Sequence, residues 1–344
     1  MTGDVLIRRA GHAGCITLNR PDALNALTHG MCLEIERAIT AWASDDAVKL
    51  ILLDAVGDRA FCSGGDIAKM YETGRAGDFS YGRQFWQDEY RLNAKIARYP
   101  KPIVAFLQGF TMGGGVGLGC HAAHRIVGET SQIAMPEVTI GLVPDVGGSL
   151  LLAHAPGHLG EYLAITASRM ASGDAIYAGF ADVYAPLEEW EMIKEKLQEE
   201  GEVSLPDHPA PPSEMAAQHA EIDALFQGTT PADIARALSV SESAFAPRAA
   251  KAIARNSPLA MACGLEIVRR LRATRDITRA LELEYRFTAR SMEHGDFIEG
   301  IRALLIDKDK KPRWRHALDA LPMAAVSAML RPLGPETLNL EDPT

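Results

Sequence analysis

The chain has 344 residues, of which 47% are hydrophobic and 23% are charged, and its formal net charge is −10. This composition is typical of a globular protein, and the negative charge argues against a general nucleic-acid binder. No segment approaches the roughly 18 unbroken apolar residues of a membrane helix. The five cysteines are scattered without a CxxC pair, which favours reduced thiols over disulfides or a metal site. We therefore expect a cytoplasmic protein without a bound metal.

The first half of the chain alternates strand patterns with helix patterns. Apolar residues alternate along residues 5–18 as in a hairpin, and Pro100 and Pro102 end a helix before the next strand. The predicted strands are 48–56, 103–107 and 125–127, and the predicted helices are 25–43, 67–73 and 84–98. Strands that alternate with helices predict an α/β core with a largely parallel sheet.

The second half is predicted to be mostly helical. Three short helices are expected within residues 149–179, then a strand at 181–185 and an acidic helix at 188–200. Residues 201–213 contain four prolines and show no apolar periodicity, so they form a candidate linker. We predict a core of residues 1–200, this linker, and a helical region of residues 214–344 in which Asp276 caps one helix.

Two carboxylates stand inside an apolar run at residues 134–149. Glu137 and Asp145 are surrounded by Val138, Ile140, Leu142 and other apolar residues, and a buried carboxylate costs several kcal/mol unless it is paired or its pKa shifts. Paired carboxylates in such surroundings often supply a general acid and a general base. The alternative is that both residues cap helix starts.

Two glycine turns precede this run, and each has the order strand, turn, helix. The first is Cys62-Ser63-Gly64-Gly65-Asp66, and the second is residues 112–115, Met-Gly-Gly-Gly. Amides at helix starts point outward without partners, so two such turns could hold one carbonyl oxygen in an oxyanion hole. The alternative is that the glycines serve only tight turns and close packing. Asp66 is expected to cap a helix that begins at Ile67.

Four ordered segments together resemble the crotonase, or enoyl-CoA hydratase/isomerase, superfamily. They are LNRPDALNAL (18–27), AFCSGGDI (60–67), GFTMGGGVGL (109–118) and AMPEVTIGLVPDVGGS (134–149). The resemblance implies the ClpP/crotonase-like spiral of β-β-α turns with a helical C-terminal region. It also implies that the Gly65 and Gly114 amides form the oxyanion hole, and that Asp22, Ala23, Leu24, Ser63, Asp66 and Ile67 line the CoA and substrate site.

One branch of the superfamily matches further. Hydratases carry two catalytic glutamates, but Gly117 occupies the first of these positions, whereas the second is retained as Glu137. Asp145, where hydratases usually have glycine, and the segment 295–314 are similar to the 3-hydroxyisobutyryl-CoA hydrolases. The resemblance implies hydrolysis of a short 3-hydroxyacyl-CoA thioester in valine breakdown, with Glu137 as nucleophile or base and with Asp145 assisting.

Several alternatives remain open at this stage. A single glutamate at position 137 also suits an isomerase, and a non-catalytic acyl-CoA-binding protein would share the fold. The match of residues 117–122 to GxGxxA is too weak and too far from its strand to indicate a dinucleotide site. Lys308, Lys310 and Lys311 either meet a CoA phosphate or are solvated. We expect no cofactor beyond the CoA of the substrate and leave self-association open.

Overall fold

A computed structural model describes residues 3–341. Its residues form two compact units, of which the first comprises the described part of Met1–Asp66 together with Asp88–Ala134 and Arg169–Glu214. The second comprises Ile67–Gln87, Met135–Ser168 and the described part of Met215–Thr344. The ends of the predicted regions, residues 1–2 and 342–344, lie outside the described residues. The predicted domain boundaries at 200 and 213 stay a prediction.

The strands all lie in the first unit and form two sheets. The larger sheet has the order β1-β2-β3-β5-β7-β9, and the smaller one has the order β4-β6-β8. Their bounds are β1 Val5–Ala10, β2 Ala13–Leu18, β3 Leu50–Ala55, β4 Ala60–Cys62, β5 Ile103–Phe106, β6 Phe110–Met112, β7 His124–Val127, β8 Gln132–Ala134 and β9 Val183–Tyr184. β1 and β2 are antiparallel, and the other pairs are parallel. The predicted α/β core with a largely parallel sheet is confirmed.

The smaller sheet was missed by the sequence patterns. β4 ends at Cys62 and β6 ends at Met112, which are the first residues of the two predicted glycine turns, and each strand has three residues. A strand of three residues is too short for alternation to show. These strands matter for the site because each one leads directly into a glycine turn.

The helices account for most of the second unit and part of the first. Their bounds are α1 His29–Ala43, α2 Ala68–Arg75, α3 Ser80–Ala97, α4 Gly114–Gly119, α5 Gly148–His154, α6 Leu159–Thr166, α7 Ser172–Tyr177, α8 Trp190–Glu200, α9 Glu214–Ala217, α10 His219–Leu225, α11 Pro231–Ser239, α12 Ala246–Arg255, α13 Pro258–Leu271, α14 Ile277–His294, α15 Phe297–Ile301 and α16 Met323–Leu330. A π-helical turn, Arg302–Ile306, follows α15. The predicted helical C-terminal region and the three short helices within 149–179 are confirmed.

Local chemistry explains where several helices begin. α1 starts at His29 rather than at residue 25 because the Thr28 hydroxyl accepts a hydrogen bond from the amide of Met31 at 3.2 Å. Asp276 caps α14, as predicted, by accepting from the amide of Thr278 at 3.0 Å. The predicted cap at Asp66 is wrong. α2 begins at Ala68 without a side-chain cap, and the Asp66 carboxylate instead pairs with Arg20 at 3.2 Å.

The core of the first unit lies between the larger sheet and α8. Inward side chains of four strands, including Leu52, Val104 and Phe106, pack with Trp190 and Leu197 of that helix. Burial of this apolar surface is the main stabilising contribution to the unit.

Candidate active site

The two glycine turns of the first unit lie against each other. The Leu27 amide donates to the Gly64 carbonyl at 2.9 Å, and the Asp66 amide donates to the Leu27 carbonyl at 2.8 Å. Gly64 has φ +112°, a conformation that side-chain-bearing residues rarely adopt. A β-carbon on Gly114 would lie only 3.3 Å from the Gly65 amide nitrogen. The structure therefore brings Gly65 and Gly114 together, as the sequence predicted.

The amides of these two glycines are available to a ligand. In the part of the chain that the structure describes, neither the Gly65 N–H nor the Gly114 N–H donates to a protein acceptor. The Cys62 carbonyl and side chain lie next to Gly115, and a β-carbon on Gly115 would collide with them. Two amides without protein acceptors, on turns that are packed this closely, can donate to the same small acceptor.

A third buried carboxyl group, Glu89 of α3, lies beside this pair of amides. Glu89 is only 4% exposed, and a β-carbon on Gly114 would lie 2.7 Å from its Oε1. A β-carbon at position 114 would therefore displace this buried carboxyl group. The sequence analysis missed Glu89 because its contact with Gly114 is long-range and helix periodicity does not reveal such a contact.

The predicted CoA-binding backbone forms an ordered loop of the first unit. Asp22 and Ala23 belong to a 3-10 turn that ends at Leu24, which has φ 51°. The Leu24 carbonyl accepts the amide of Ser63 at 3.1 Å, so this loop is joined to the first glycine turn. Asp22 and Ala23 are exposed and Leu24 is half-buried.

Asn25 holds this loop in place, and the sequence analysis missed it. Its side-chain amide donates to the carbonyls of Val56 at 3.0 Å and Ala60 at 2.9 Å, and its oxygen accepts the Arg20 amide at 2.8 Å. Asn25 has φ 53°, a region in which asparagine is better tolerated than most residues. The remaining predicted contact residue, Ile67, is half-buried and immediately precedes α2 in the second unit.

Glu137 begins a short 3-10 helix of the second unit, Glu137–Ile140, and is only 5% exposed. No side-chain cap is formed at this helix start, so the capping alternative for Glu137 does not account for its burial. The backbone of Glu137 is held by the amide of Leu142, which donates to its carbonyl at 3.0 Å. The backbone of the next residue is held by the residue that precedes α13, because the Ser257 amide donates to the Val138 carbonyl at 3.0 Å.

The segment 295–314 also packs against this 3-10 helix. A β-carbon on Gly141 would touch Asp296, and one on Gly300 would collide with the Ile140 carbonyl. Asp296 accepts from the Ser257 hydroxyl at 2.7 Å and from the Arg315 amide at 3.0 Å. This packing gives a physical reason why the C-terminal motif accompanies Glu137.

Asp145 stands at the start of a tight turn and is 4% exposed. The Gly148 amide donates to the Asp145 carbonyl at 2.7 Å, and the two central residues, Val146 and Gly147, have φ 53° and 78°. Positive φ at both positions is the pattern of a type I′ turn. A β-branched residue is rarely found with positive φ, so the turn after Asp145 is strained at Val146.

The carboxyl group of Glu284, on α14, caps the helix that follows this turn. Its carboxyl group accepts from the Gly147 amide at 2.8 Å and from the Ser149 amide at 3.2 Å, and it also contacts the Ser149 hydroxyl. Burial raises the pKa of Glu284 to about 8, and the charge of Asp145 adds to the rise. The sequence analysis missed Glu284 because its partners are more than a hundred residues away.

The cysteines next to the glycine turns are not candidate nucleophiles. Burial raises the pKa of the Cys62 thiol and that of the Cys120 thiol to about 12 in each case, so both stay protonated near neutral pH. All five cysteines are free and buried. Within residues 3–341, no cluster of three or more histidine, cysteine or acidic side chains is arranged to hold a metal ion, and no helix is long and apolar enough to cross a membrane.

An open cavity of about 360 Å³ in the second unit is separate from Glu137 and Asp145. Its walls include Tyr71, Phe79, Ile298 and the exposed Arg313. None of the residues predicted for the site from the sequence lines it. The cavity therefore contributes nothing to the assignment of those residues.

Comparison with known proteins identifies close relatives over nearly the whole chain. The family model described as enoyl-CoA hydratase/isomerase matches residues 13–330. The mitochondrial 3-hydroxyisobutyryl-CoA hydrolase of Gallus gallus is 37% identical over 98% of this chain and 91% of its own length. The Homo sapiens protein of the same name is 35% identical over 91% of this chain and 84% of its own length.

Solved structures agree on the fold but carry other names. An enoyl-CoA hydratase from Rhodobacter sphaeroides 2.4.1 has a TM-score of 0.96 and 54% identity, covering 98% of this chain and all of that one. A carnitinyl-CoA dehydratase from Mycobacterium thermoresistibile has a TM-score of 0.93 and 41% identity, covering 99% of this chain and all of that one. The predicted crotonase fold is confirmed by these matches.

The predicted cytoplasmic location is wrong. The curated relatives are named as mitochondrial enzymes, which points to the mitochondrion rather than the cytoplasm. The prediction rested in part on scattered, reduced cysteines. Reduced thiols indicate only a reducing compartment and do not distinguish one such compartment from another.

Proposed function

The chain belongs to the enoyl-CoA hydratase/isomerase family, and we propose that it is a CoA-thioester hydrolase that converts 3-hydroxyisobutyryl-CoA to 3-hydroxyisobutyrate and CoA, a step of valine breakdown. The observation that carries the proposal is the pattern of buried carboxylates. Glu137 and Asp145 are both buried, whereas a glycine stands at position 117, where a hydratase would carry its other glutamate. The names of the curated relatives support the same substrate.

The proposed roles follow from the chemistry of each group. The Gly65 and Gly114 amides bind the thioester oxygen and stabilise the negative charge that develops on it, and each such donor contributes about 3 to 4 kcal/mol. The loop of Asp22, Ala23 and Leu24 lies along the CoA nucleotide. Ser63, Asp66 and Ile67 complete the contacts with the substrate.

The Glu137 carboxylate acts in hydrolysis of the thioester by one of two routes. As a nucleophile, its carboxylate attacks the thioester carbon, the carbon–sulfur bond breaks, and CoA leaves as a thiolate that is then protonated. Water hydrolyses the resulting anhydride and restores Glu137. As a general base, Glu137 instead takes a proton from the water that attacks the thioester carbon. In both routes Asp145 orients the water or the 3-hydroxyl group, or returns the proton to the thiolate.

The proposed reaction needs no cofactor beyond the CoA of the substrate. A carboxylate provides the nucleophile or base, and two amides activate the carbonyl. Lys308, Lys310 and Lys311 lie on an exposed loop after the π-helical turn, where Lys308 and Lys310 have φ 56° and 55°. Their contact with a CoA phosphate is part of this proposal.

Hydration or isomerisation of an enoyl-CoA is the second candidate function. Glu89 favours it, because this buried carboxyl group lies next to Gly114 and supplies a carboxylate that Gly117 does not. The names of the structural relatives point the same way. A thiol-trapping assay separates the candidates. Release of CoA from 3-hydroxyisobutyryl-CoA supports the hydrolase. A hydrated or shifted enoyl double bond without CoA release supports the second candidate.

A further inference from the structure

Glu284 is a buried carboxyl group for which the proposed reaction has no direct use. It lies on α14 and is completely buried, and no lysine, arginine or histidine within residues 3–341 forms an ion pair with it. A buried acid without a cation is costly. The contacts of Glu284 should therefore show why this acid is buried.

Within residues 3–341, the carboxyl group of Glu284 forms its hydrogen bonds with one short segment. One carboxyl oxygen accepts the Gly147 amide at 2.8 Å, and the other accepts the Ser149 amide at 3.2 Å and contacts the Ser149 hydroxyl. These groups follow Asp145 by two and four residues. The carboxyl group of Glu284 thus holds, by hydrogen bonds, the turn that carries Asp145 and the first residues of α5.

This turn needs an external constraint. Val146 has φ 53°, which is unfavourable for a β-branched residue, and such strain persists only where the surroundings hold the backbone. The hydrogen bond from the Gly148 amide to the Asp145 carbonyl closes the turn at 2.7 Å. Without the contacts to Glu284, the amides on either side of Gly148 would lose their acceptors.

The protonation state of Glu284 is compatible with its position near Asp145. Burial and the charge of Asp145 together raise the pKa of Glu284 to about 8, so its carboxyl group is largely protonated near neutral pH. The charged side chains on the elements that pack against α14 are engaged elsewhere: Glu266 with Arg270, Arg269 near Glu161, and Glu299 with Arg302. A protonated Glu284 holds the turn without adding a negative charge next to Asp145.

We propose that Glu284 is a positioning residue for Asp145: its buried carboxyl group clamps the strained turn 145–148 and thereby holds the Asp145 side chain in its working orientation. This inference rests on the proposed hydrolysis. It assigns Glu284 no contact with the substrate. Loss of the clamp should therefore reduce turnover and leave substrate binding largely unchanged.

The decisive experiment is a double-mutant cycle between positions 284 and 145. CoA release is measured for the wild type, E284A, D145N and the double variant, with E282A as the control because Glu282 lies on the same helix in a surface pair with Arg279. We expect E284A to lower kcat at least about tenfold and to change KM less than about twofold. Because Glu284 acts through Asp145, we expect E284A to cost little in the D145N background. Additive losses would overturn the proposal, as would a rise in KM with unchanged kcat.

Two further measurements keep the test independent of folding and of the proposed function. E284Q keeps the size of the side chain and one acceptor, so it replaces E284A in the cycle if the alanine variant does not fold. Hydrogen exchange should accelerate at both the Gly147 and the Ser149 amides in E284A, and at one of these two amides in E284Q. Unchanged protection of both amides would overturn the clamp. If the wild type releases no CoA from any thioester tested, the proposed function fails, and the exchange rates still decide whether Glu284 holds the turn.

Discussion

Replacing Glu284 by glutamine is expected to remove a pH dependence of stability that this one residue creates. The pKa of Glu284 is about 8 in the folded protein and near its ordinary value of 4.5 when the chain is unfolded. Between these values the folded protein keeps a proton that the unfolded chain has lost. The free energy of unfolding should therefore decrease as the pH rises from about 4.5 to about 8.

The size of this effect follows from the shift. One proton changes the free energy of unfolding by up to about 1.4 kcal/mol per pH unit, and the full shift corresponds to about 4 to 5 kcal/mol. The side chain at position 284 cannot ionise in E284Q. The slope of its unfolding free energy against pH should therefore differ from the wild-type slope by about 1 kcal/mol per pH unit, in the direction of a smaller decrease. E284Q should also be less stable at pH 5.5, because glutamine replaces one of the two oxygen acceptors with an amino group.

Urea unfolding followed by tryptophan fluorescence at pH 5.5, 6.5 and 7.5 measures this dependence. E282Q is the matched control because Glu282 lies on the same helix but faces the solvent in a pair with Arg279, and its slope should equal that of the wild type. The same slope in E284Q and the wild type would refute the reasoning, since it would show that Glu284 is ionised in the folded protein throughout this range.

Three other predictions concern Glu137 and the glycine turns. E137Q should lower turnover by about a hundredfold or more without loss of stability by thermal melting, and near wild-type turnover would contradict its assignment. Single turnover in heavy-oxygen water should label Glu137 if it is the nucleophile, and an unlabelled active-site peptide would exclude the anhydride route. G114A should lose about 1 to 3 kcal/mol of stability, because its β-carbon would lie 2.7 Å from Glu89. G65A is the control because nothing lies within 4 Å of its β-carbon, and equal melting temperatures for the two variants would contradict the packing argument.

Sequence patterns predicted those parts of the molecule that depend on neighbours in the chain. The helix 25–43 was placed correctly except at its start, where Thr28 determines the first residue. The motifs also located Glu137 and Asp145, and the structure buries both. Such features depend on local propensity and on motifs of a few residues, and both can be read from one sequence.

The features that the sequence did not reveal depend on contacts between distant residues. Glu284 meets Gly147 and Ser149 across 137 and 135 positions of the chain, and Glu89 reaches the second glycine turn from another helix. Asp66 is a residue type that often caps helices, but its carboxylate pairs with Arg20 across 46 positions. Tertiary pairing overrides local preference at these sites, because a buried or half-buried carboxylate is stabilised by the partner that the fold brings to it.

The distinction between hydrolysis and hydration depends on how the site uses its carboxylates. Glu137 is the residue that both reactions would share. Asp145 favours hydrolysis, whereas Glu89 near Gly114 keeps hydration testable. The difference lies in which bond breaks, because only hydrolysis cleaves the carbon–sulfur bond and releases a thiol.

Release of free CoA from 3-hydroxyisobutyryl-CoA by the purified chain is the measurement that tests this most directly. Thiol trapping should show rapid release by the wild type, loss of about a hundredfold or more in E137Q, and slower release from CoA esters that lack the 3-hydroxyl group. Hydration of an enoyl-CoA without thiol release, by a wild-type protein that leaves 3-hydroxyisobutyryl-CoA intact, would contradict the proposed function.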